Sequence, residues 1–539
     1  MQTKAIMVQG TGSDVGKSIM VCALCRIFHQ EGLSVAPFKA QNMSLNSYVT
    51  LDGKEMGRAQ VAQAEAAGVQ PTVEMNPILL KPTGNNGSQV ITMGRPLRHM
   101  TAGEYYQNKN MMLDIAKKAY ARLKEQYDII VIEGAGSPSE INLKDSDIVN
   151  MKIAETADAP VLLMTDIDRG GAFAWIVGTL ELLSNEERQR ICGVIINKFR
   201  GDMEILKSGV NMLEKKIDKP VLGVIPYFDD IRIDNEDSVC LENNDYKLQS
   251  VNSEPDKASI EIVVVRLPRI SNFTDFDILK REKDVRLRFV DSVKSLGKPD
   301  LIILPGTKNT IGDLRAIKEN GIADAIVNFA NEGTMVIGIC GGYQMLGEQI
   351  KDPENAESNI SQIDGLGLLN AITFFKPEKD TYQIKARMYN NSNIFNNIKC
   401  DITGYEIHMG ETKLLNGISP FLKITERSGK GVRHGESASG TISMVDGAVS
   451  NTGNVIGTYV HGILDNDEFR LGLINYLRGN KSISPLLRDE LITAKREKEE
   501  QYNRLADLVR KHIKMDMIYK LIGTQIFSDT QSAAELQPK

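Results

Sequence analysis

The sequence predicts an α/β protein made of two doubly wound, mostly parallel-sheet domains followed by a helical C-terminal tail. Three observations lead there. Short apolar runs alternate with amphipathic helical stretches over residues 1–235, and the alternation resumes over 259–475. Between them, 236–258 is polar, acidic and without periodicity, which reads as a linker. From 476 to 539 the chain is rich in Lys, Arg and Glu, with Leu505, Leu508, Val509, His512 and Ile513 at helical spacing. That pattern predicts a solvated helix packed by one stripe, which could also help form a homodimer.

Composition narrows the function. A chain of 539 residues has room for two or three domains with proper cores. Hydrophobic residues at 42% and charged residues at 25% are ordinary for a soluble protein, and a formal charge of -6 gives no reason to expect nucleic acid. The start, MQTKAIMVQG, has neither a basic n-region nor a long apolar h-region, and no run is long enough to span a membrane. The expectation is a cytoplasmic protein with no membrane role. Six scattered cysteines fit reduced thiols better than a disulfide framework. Cys22 and Cys25 spell CxxC, but inside the apolar helical pattern IMVCALCRIF, so a helix face is the better reading than metal or redox chemistry.

In the first domain a strand, AIMVQG, runs into the loop GTGSDVGKS (Gly10–Ser18) and then a helix. Glycine turns ending in Gly-Lys-Ser direct backbone N–H groups onto a polyphosphate, with Lys17 reaching the terminal phosphates and the Ser18 hydroxyl on Mg²⁺. The spacing departs from the usual P-loop: Thr11 stands where the first glycine belongs, and Gly10 falls one residue early. A dinucleotide fingerprint is excluded, since Val15 occupies the place of its third glycine. The strand ending at Phe38 delivers Lys39, Gln41, Asn42 and Ser44 to the carboxyl edge of the sheet, the usual place for ligands. Lys81, in ILLKPTGNNG, marks a second candidate anion-contacting loop. A long helix is predicted across TAGEYYQNKNMMLDIAKKAYARLKEQ, and Glu133 ends the strand after it, where a carboxylate can hold Mg²⁺ directly or through water. Asp166 and Asp168 lie at a further strand end, and Asn197 lies near the end of the run ICGVIINKF.

The second domain turns on TMVIGICGGYQMLG. An apolar strand breaks at Cys340-Gly341-Gly342 into a helix start; the two glycines allow the tight turn, which lifts the thiol into the open beside the free N–H groups and positive end of that helix. This is the thiol counterpart of a serine nucleophile elbow. Backbone N–H groups around Gly306 and Thr307, in LPGTKNT, together with that of Gly341, would supply an oxyanion hole. Among six histidines, His461 in NVIGTYVHGILDNDEF stands at a strand end and is the expected base. His408, in GYEIHMGET, is the competitor, equally open to a structural or substrate-binding role.

GICGGYQMLG with a downstream YVHG resembles class I glutamine amidotransferases, and GTGSDVGKS with VIEGAG resembles the dethiobiotin synthetase type of P-loop ATP-binding domain. Fused in this order, with PFKAQNMSLNS, EGAGSPSEINL, LPGTKNT and GYEIHMG, they are similar to the cobyric acid synthase family over nearly the whole chain. The resemblance implies Cys340 as nucleophile and His461 as its base. It implies ATP and Mg²⁺ as cofactors, glutamine as nitrogen donor, and adenosylcobyrinic acid a,c-diamide as a substrate amidated at its b, d, e and g carboxylates. Gly12, Gly16, Lys17, Ser18, Lys39, Asn42 and Asn197 fall to the nucleotide side, with Ser18 and Glu133 at the metal. Lys39, Asn42 and Lys81 are contacts for phosphate or for the corrinoid carboxylates. One departure matters: many class I amidotransferases carry a glutamate two residues after the histidine, where this chain has Ile463. Either the pair works as a dyad, or a carboxylate such as Glu406 or Asp465 orients the imidazole from elsewhere. Rival readings are cobyrinic acid a,c-diamide synthase, with the same chemistry on other carboxylates, and a ParA or MinD type ATP switch. Such switches carry a signature lysine where this loop has Gly12, and they lack an amidotransferase half.

Overall fold

The computed structural model describes residues 3–83, 87–234, 259–389, 400–429 and 445–523. The stretch read as a linker, 236–258, lies outside them.

Strands β1 (Lys4–Gly10), β2 (Val35–Phe38), β3 (Ile129–Glu133), β4 (Val161–Asp166), β5 (Ile191–Phe199) and β6 (Val221–Pro226) form one all-parallel sheet in the order β6-β5-β4-β1-β3-β2. Successive side chains of a strand point to opposite faces, and both faces of this sheet are covered. Ile6 and Val8 pack toward helix α1 (Lys17–Gln30), while Met7 joins the layer on the other side. That double burial is why β1 and β3 read as unbroken apolar runs. Cys22 and Cys25 are both buried on α1 and free, as the helix-face reading expects.

Beyond β2 a second, four-stranded sheet is built from Gln41–Met43, Ile78–Pro82, Gly87–Thr92 and Arg95–Thr101. The single long helix expected after it is broken into Ala102–Gln107 and Lys109–Lys124. Asn108 leaves helical geometry at φ -98°, ψ 9°, and its side chain bonds back to the Glu104 carbonyl at 2.8 Å. Asparagine offers the backbone this local alternative to the helix ladder.

The second main sheet holds β7 (Ile260–Val265), β8 (Val285–Val290), β9 (Leu301–Leu304), β10 (Met335–Ile339), β13 (Ala448–Val449) and β14 (Val455–Thr458), ordered β8-β7-β9-β10-β14-β13. All neighbours are parallel except β13 on β14. A six-residue helix α2 (Gly341–Leu346) follows β10. Two long antiparallel strands, β11 (Ala371–Met388) and β12 (Asp401–Leu414), belong to a separate sheet and reach the first domain. There Lys379 pairs with Glu55 at 2.6 Å, Lys81 pairs with the same carboxylate at 2.5 Å, and Thr381 Oγ1 donates to the Gly53 carbonyl at 2.8 Å.

The tail does not simply extend the second domain. A helix over Asp467–Asn480 runs through the point where the tail was expected to begin. Helix α3 (Ala494–His512) then returns to the first domain and lays Tyr502, Leu505 and Val509 into the apolar cluster of α1, so its single buried stripe has a definite partner. Arg26 of α1 pairs with Glu499 at 2.6 Å, and the Tyr502 hydroxyl donates to Glu65 at 2.8 Å. Among the described residues no helix is long and apolar enough to cross a membrane. Because Leu505 has no exposed surface, Leu505→Ala leaves a cavity and should cost about 2–5 kcal/mol. Calorimetry should show earlier melting for it, whereas Lys511→Ala, at an exposed position of the same helix, should melt like the parent.

Candidate active sites

β10 and β14 are adjacent and parallel, in register from Val336↔Val455 to Ile339↔Thr458. Their carboxyl ends therefore open side by side, Cys340 after one and His461 three residues after the other. The Cys340 amide still donates to the Thr458 carbonyl at 2.8 Å. The glycines were expected to supply the bend, but the left-handed backbone falls on Cys340 itself, at φ 53° and ψ -108°. A non-glycine residue there stores strain of order ~1–3 kcal/mol, which only a well-determined surrounding maintains. The glycines instead permit close approach. A Cβ on Gly341 would lie 2.8 Å from Thr307 Cγ2 and 3.2 Å from the Thr307 amide nitrogen, and one on Gly342 would lie 1.9 Å from the Leu304 carbonyl oxygen. Gly306 is pressed against the imidazole, 3.1 Å from His461 Cε1 measured to its ideal Cβ position. The residues expected around the oxyanion thus meet at the elbow.

His461 is buried, with Nδ1 2.6 Å from Asp275 Oδ2, while the Gly462 amide donates to Asp275 Oδ1 at 3.3 Å. With Nδ1 engaged by Asp275, Nε2 is the nitrogen left to face the Cys340 thiol, whose sulfur donates to the Ile407 carbonyl at 3.6 Å. Burial alone would depress the imidazole. The Asp275 carboxylate and the Cys340 sulfur outweigh it and push His461 up to about 10, so the ring holds its proton at neutral pH. Cys340 itself is 8% exposed, buried among its neighbours rather than lifted into the open as expected of the elbow.

Asp275 was not foreseen. Neither carboxylate expected beside His461 is there: Glu406 pairs with Arg427 at 2.9 Å, and Asp465 lies 3.5 Å from Lys498. Asp275 sits in a 3₁₀ turn, Phe273–Arg281, that follows β7 and is remote in sequence from the histidine. The only trace in the text is the pair of acids in NFTDFDIL just past a buried strand. His408 does not engage the thiol. Its Nδ1 lies 2.8 Å from the Gly410 carbonyl, its ring stacks on Tyr459 at 3.8 Å, and burial pushes it down to about 4, so it is neutral.

In the first domain the loop Gly10–Ser18 joins β1 to α1, and Gly16 at the helix start has φ +104°. A Cβ there would lie 2.3 Å from Asn197 Nδ2, so glycine is required on two counts. Lys17 Nζ donates to the carbonyls of Gly12 at 2.8 Å and Gly136 at 3.2 Å, which brackets the loop from both sides. Ser18 Oγ donates to Glu133 Oε1 at 2.7 Å. An all-oxygen pair of hydroxyl and carboxylate at the start of a phosphate-loop helix suits Mg²⁺, which takes oxygen ligands and keeps several waters.

Four residues assigned from the sequence have partners within the protein. Lys39 reaches Glu133 at 2.9 Å rather than projecting freely toward an anion, and Gln63 Nε2 donates to the other carboxylate oxygen at 2.6 Å. Asn197 Nδ2 donates to the Val15 carbonyl at 2.8 Å, bracing the phosphate loop from beneath. Lys81 is buried in the ion triad with Glu55 and Lys379, because its strand turns it to the interface, away from the face that carries Leu80 and Pro82. Asn42 is buried and donates to Gln60 Oε1 at 2.8 Å, though it still lines the cavity beside the loop. Asp166 and Asp168 pair with Lys198 and Arg200.

That cavity, of about 1160 Å³, opens from Lys17 and Lys39 across the four-stranded sheet, with Leu80, Met100 and Tyr105 on its apolar side. Among the described residues no cluster of His, Cys, Asp and Glu is arranged to hold a metal by itself.

A nucleophile elbow with an acid-supported imidazole, carried beside a phosphate-loop domain, defines an amidotransferase half joined to a nucleotide-binding half. The family model described as a CobB/CobQ-like glutamine amidotransferase domain matches residues 261–469, and that described as a CobQ/CobB/MinD/ParA nucleotide binding domain matches 6–239. Cobyric acid synthase of Desulforamulus reducens is 50% identical over 525 residues, covering 96% of this chain and 98% of that one. Cobyric acid synthase of Thermoanaerobacter sp. is 50% identical over 96% of this chain and 98% of its own, and that of Listeria monocytogenes 48% identical over 98% and 99%. The chain belongs to the cobyric acid synthase family.

The Asp275 contact has a measurable consequence. In Asp275→Asn the charge that raises His461 is gone, so the imidazolium is lost at lower pH. The alkaline limb of glutamine hydrolysis should move down by more than about one pH unit, read from a kcat/KM profile, with the rate reduced across the range.

Proposed function

We propose that the protein is a cobyric acid synthase. It amidates the b, d, e and g carboxylates of adenosylcobyrinic acid a,c-diamide, taking nitrogen from glutamine and energy from ATP. The observation that carries the reading is the presence in one chain of both machines: Cys340 and His461 at the ends of β10 and β14 with Asp275 from the turn after β7, and Lys17, Ser18 and Glu133 beside a cavity large enough for a macrocycle's edge. The full-length likeness to relatives bearing that name supports it.

At the elbow, the proton carried by His461 is the one given up by the Cys340 thiol, so the sulfur attacks the side-chain carbonyl carbon of glutamine as a thiolate, and the Gly341 and Thr307 amides receive the charge on its oxygen. As the C–N bond breaks, His461 passes its proton to the departing nitrogen, which leaves as ammonia. Neutral His461 then takes a proton from water, the hydroxide attacks the thioester, and glutamate departs with the thiol restored. Asp275 keeps the imidazole in one orientation throughout.

In the other half, the amides of the Gly10–Ser18 loop and the Lys17 ammonium hold the triphosphate, and Gly12, where an added Cβ would meet only open space, faces it. The Ser18 hydroxyl would hold Mg²⁺, with Glu133 behind it through water, since both carboxylate oxygens already accept hydrogen bonds. The ion offsets charge on the phosphate oxygens when bound. A corrinoid carboxylate oxygen takes the γ-phosphoryl group to give an acyl phosphate and ADP. Ammonia displaces phosphate from it, forming the amide. Ammonia must reach that carbon unprotonated, so a path closed to bulk water between the halves is part of the proposal.

The test is direct. With MgATP, glutamine and the a,c-diamide corrinoid, mass spectrometry should record four successive decreases of about one mass unit, each an OH-to-NH₂ exchange. Amidation at the a and c positions instead would point to the diamide synthase. Cys340→Ala should abolish the glutamine-driven reaction and keep the one driven by ammonium salts, whereas Lys17→Ala should stop both.

A further inference from the structure

The two halves meet at an unusual point. Asn272, 3% exposed, sits in left-handed backbone at φ 52°, ψ 36°, a conformation asparagine tolerates better than most residues. Its Nδ2 donates to the Ser47 carbonyl of the first domain at 2.9 Å and to the Tyr405 hydroxyl at 2.8 Å, and the Tyr405 hydroxyl donates to the same Ser47 carbonyl at 3.2 Å. Three polar groups from both halves are thus closed into one buried knot.

On the amidotransferase side this knot touches the base twice. The Tyr405 ring stacks on the His461 imidazole, with centroids 5.3 Å apart and planes at 18°, and the two residues exchange backbone hydrogen bonds, N–H to O=C, at 3.2 and 2.9 Å. Asn272 also begins the turn that carries Asp275, whose amide donates to the Asn272 carbonyl at 3.1 Å. A shift of Asn272 therefore reaches both the ring packed on His461 and the carboxylate that holds it. On the other side, Ser47 lies three residues after Ser44, in the segment Gln41–Leu45 that lines the large cavity, and Ser47 Oγ accepts from Lys81 at 2.8 Å.

Resting on the function proposed above, we infer that Asn272 is a positioning residue through which occupancy of the cavity by the carboxylate substrate sets the orientation of His461 and so the rate of glutamine hydrolysis. A contact kept for adhesion alone has no need of buried polarity, because packed apolar groups hold two surfaces as well. Polar groups that must all be satisfied together have two discrete arrangements, made or broken, which is what coupling between sites requires.

The experiment compares glutamate release with and without MgATP plus the a,c-diamide corrinoid, alongside ammonium-driven amidation. The parent should release glutamate faster when both substrates are present. In Asn272→Ala the ratio of stimulated to basal glutamate release should fall by about tenfold, within the range usual for coupled sites, while ammonium-driven amidation stays within about twofold of the parent. Tyr405→Phe, which keeps the ring on His461 and removes only the hydroxyl, should lose the same stimulation and serves if the alanine variant does not fold. Stimulation retained in either folded variant, or absent in the parent, would overturn the inference while leaving the function intact. A parent that makes no amide even from ammonium salts would overturn the function and this inference with it.

Discussion

The assembly depends on one buried carboxylate. Glu55 has no exposed side-chain surface and lies between Lys81 of its own domain and Lys379 of the other. Burial on its own would favour the neutral acid. The two ammonium groups, Lys379 foremost, outweigh it and hold Glu55 down at about 2. A carboxylate depressed in this way contributes stability above its ordinary value near 4.5, and the contribution is lost as pH falls toward about 2. The triad sets where β11 and β12 cross the first domain. Thr381 on Gly53, the packing of Tyr405 and Ile407 on Val49, and the Asn272 knot all lie along that crossing.

Most of the fold could be read from the text because it obeys short-range rules. Buried parallel strands are apolar on both faces, so β1, β3, β4 and β10 stand out without any three-dimensional knowledge. Candidate residues at or beyond strand ends, Cys340, His461 and Glu133, and Lys17 and Ser18 at the start of the helix after β1, were legible for the same reason: a parallel sheet gathers the ends of its strands on one edge. What escaped was whatever depends on pairing across distance. Asp275 supports a histidine far along the chain, and no spacing rule joins a 3₁₀ turn to the end of a strand three positions away in the sheet. Lys81 looked like an anion contact because a lysine among glycines and asparagines usually is one. Its acidic partner, Glu55, stands in an unremarkable hairpin, and the third member of the triad is supplied by the second domain.

The elbow shows how a local rule can be right for a partly wrong reason. Two glycines after a cysteine suggested that the glycines bend. The bend belongs to the cysteine, and the glycines are small because the Leu304 carbonyl and Thr307 stand where side chains would be. The difference matters chemically. A strained Cys340 held by the Thr458 carbonyl has its sulfur aimed by the register of β10 on β14, so the same backbone pairing that places His461 also orients the nucleophile.

In the proposed reaction, the charge at His461 sets the order of events at the Cys340 sulfur. An imidazole held near 10 enters the reaction as a cation, so the first act available to it is to give a proton, not to take one. That suits the departure of an amide nitrogen, which leaves poorly unless protonated as the C–N bond breaks. Once the proton has gone, Asp275 faces a neutral ring beside a thioester, and the ring is a strong base because the carboxylate remains to stabilise its return to the cation. Water is the acid that restores it, and the thioester is cleared in the same step. A single buried carboxylate thus drives both halves of the cycle from one position. It also explains why the neighbouring His408 has to stay neutral: a second imidazolium within reach would oppose the first, and the burial that holds His408 down at about 4 keeps the field at the sulfur governed by Asp275 and His461.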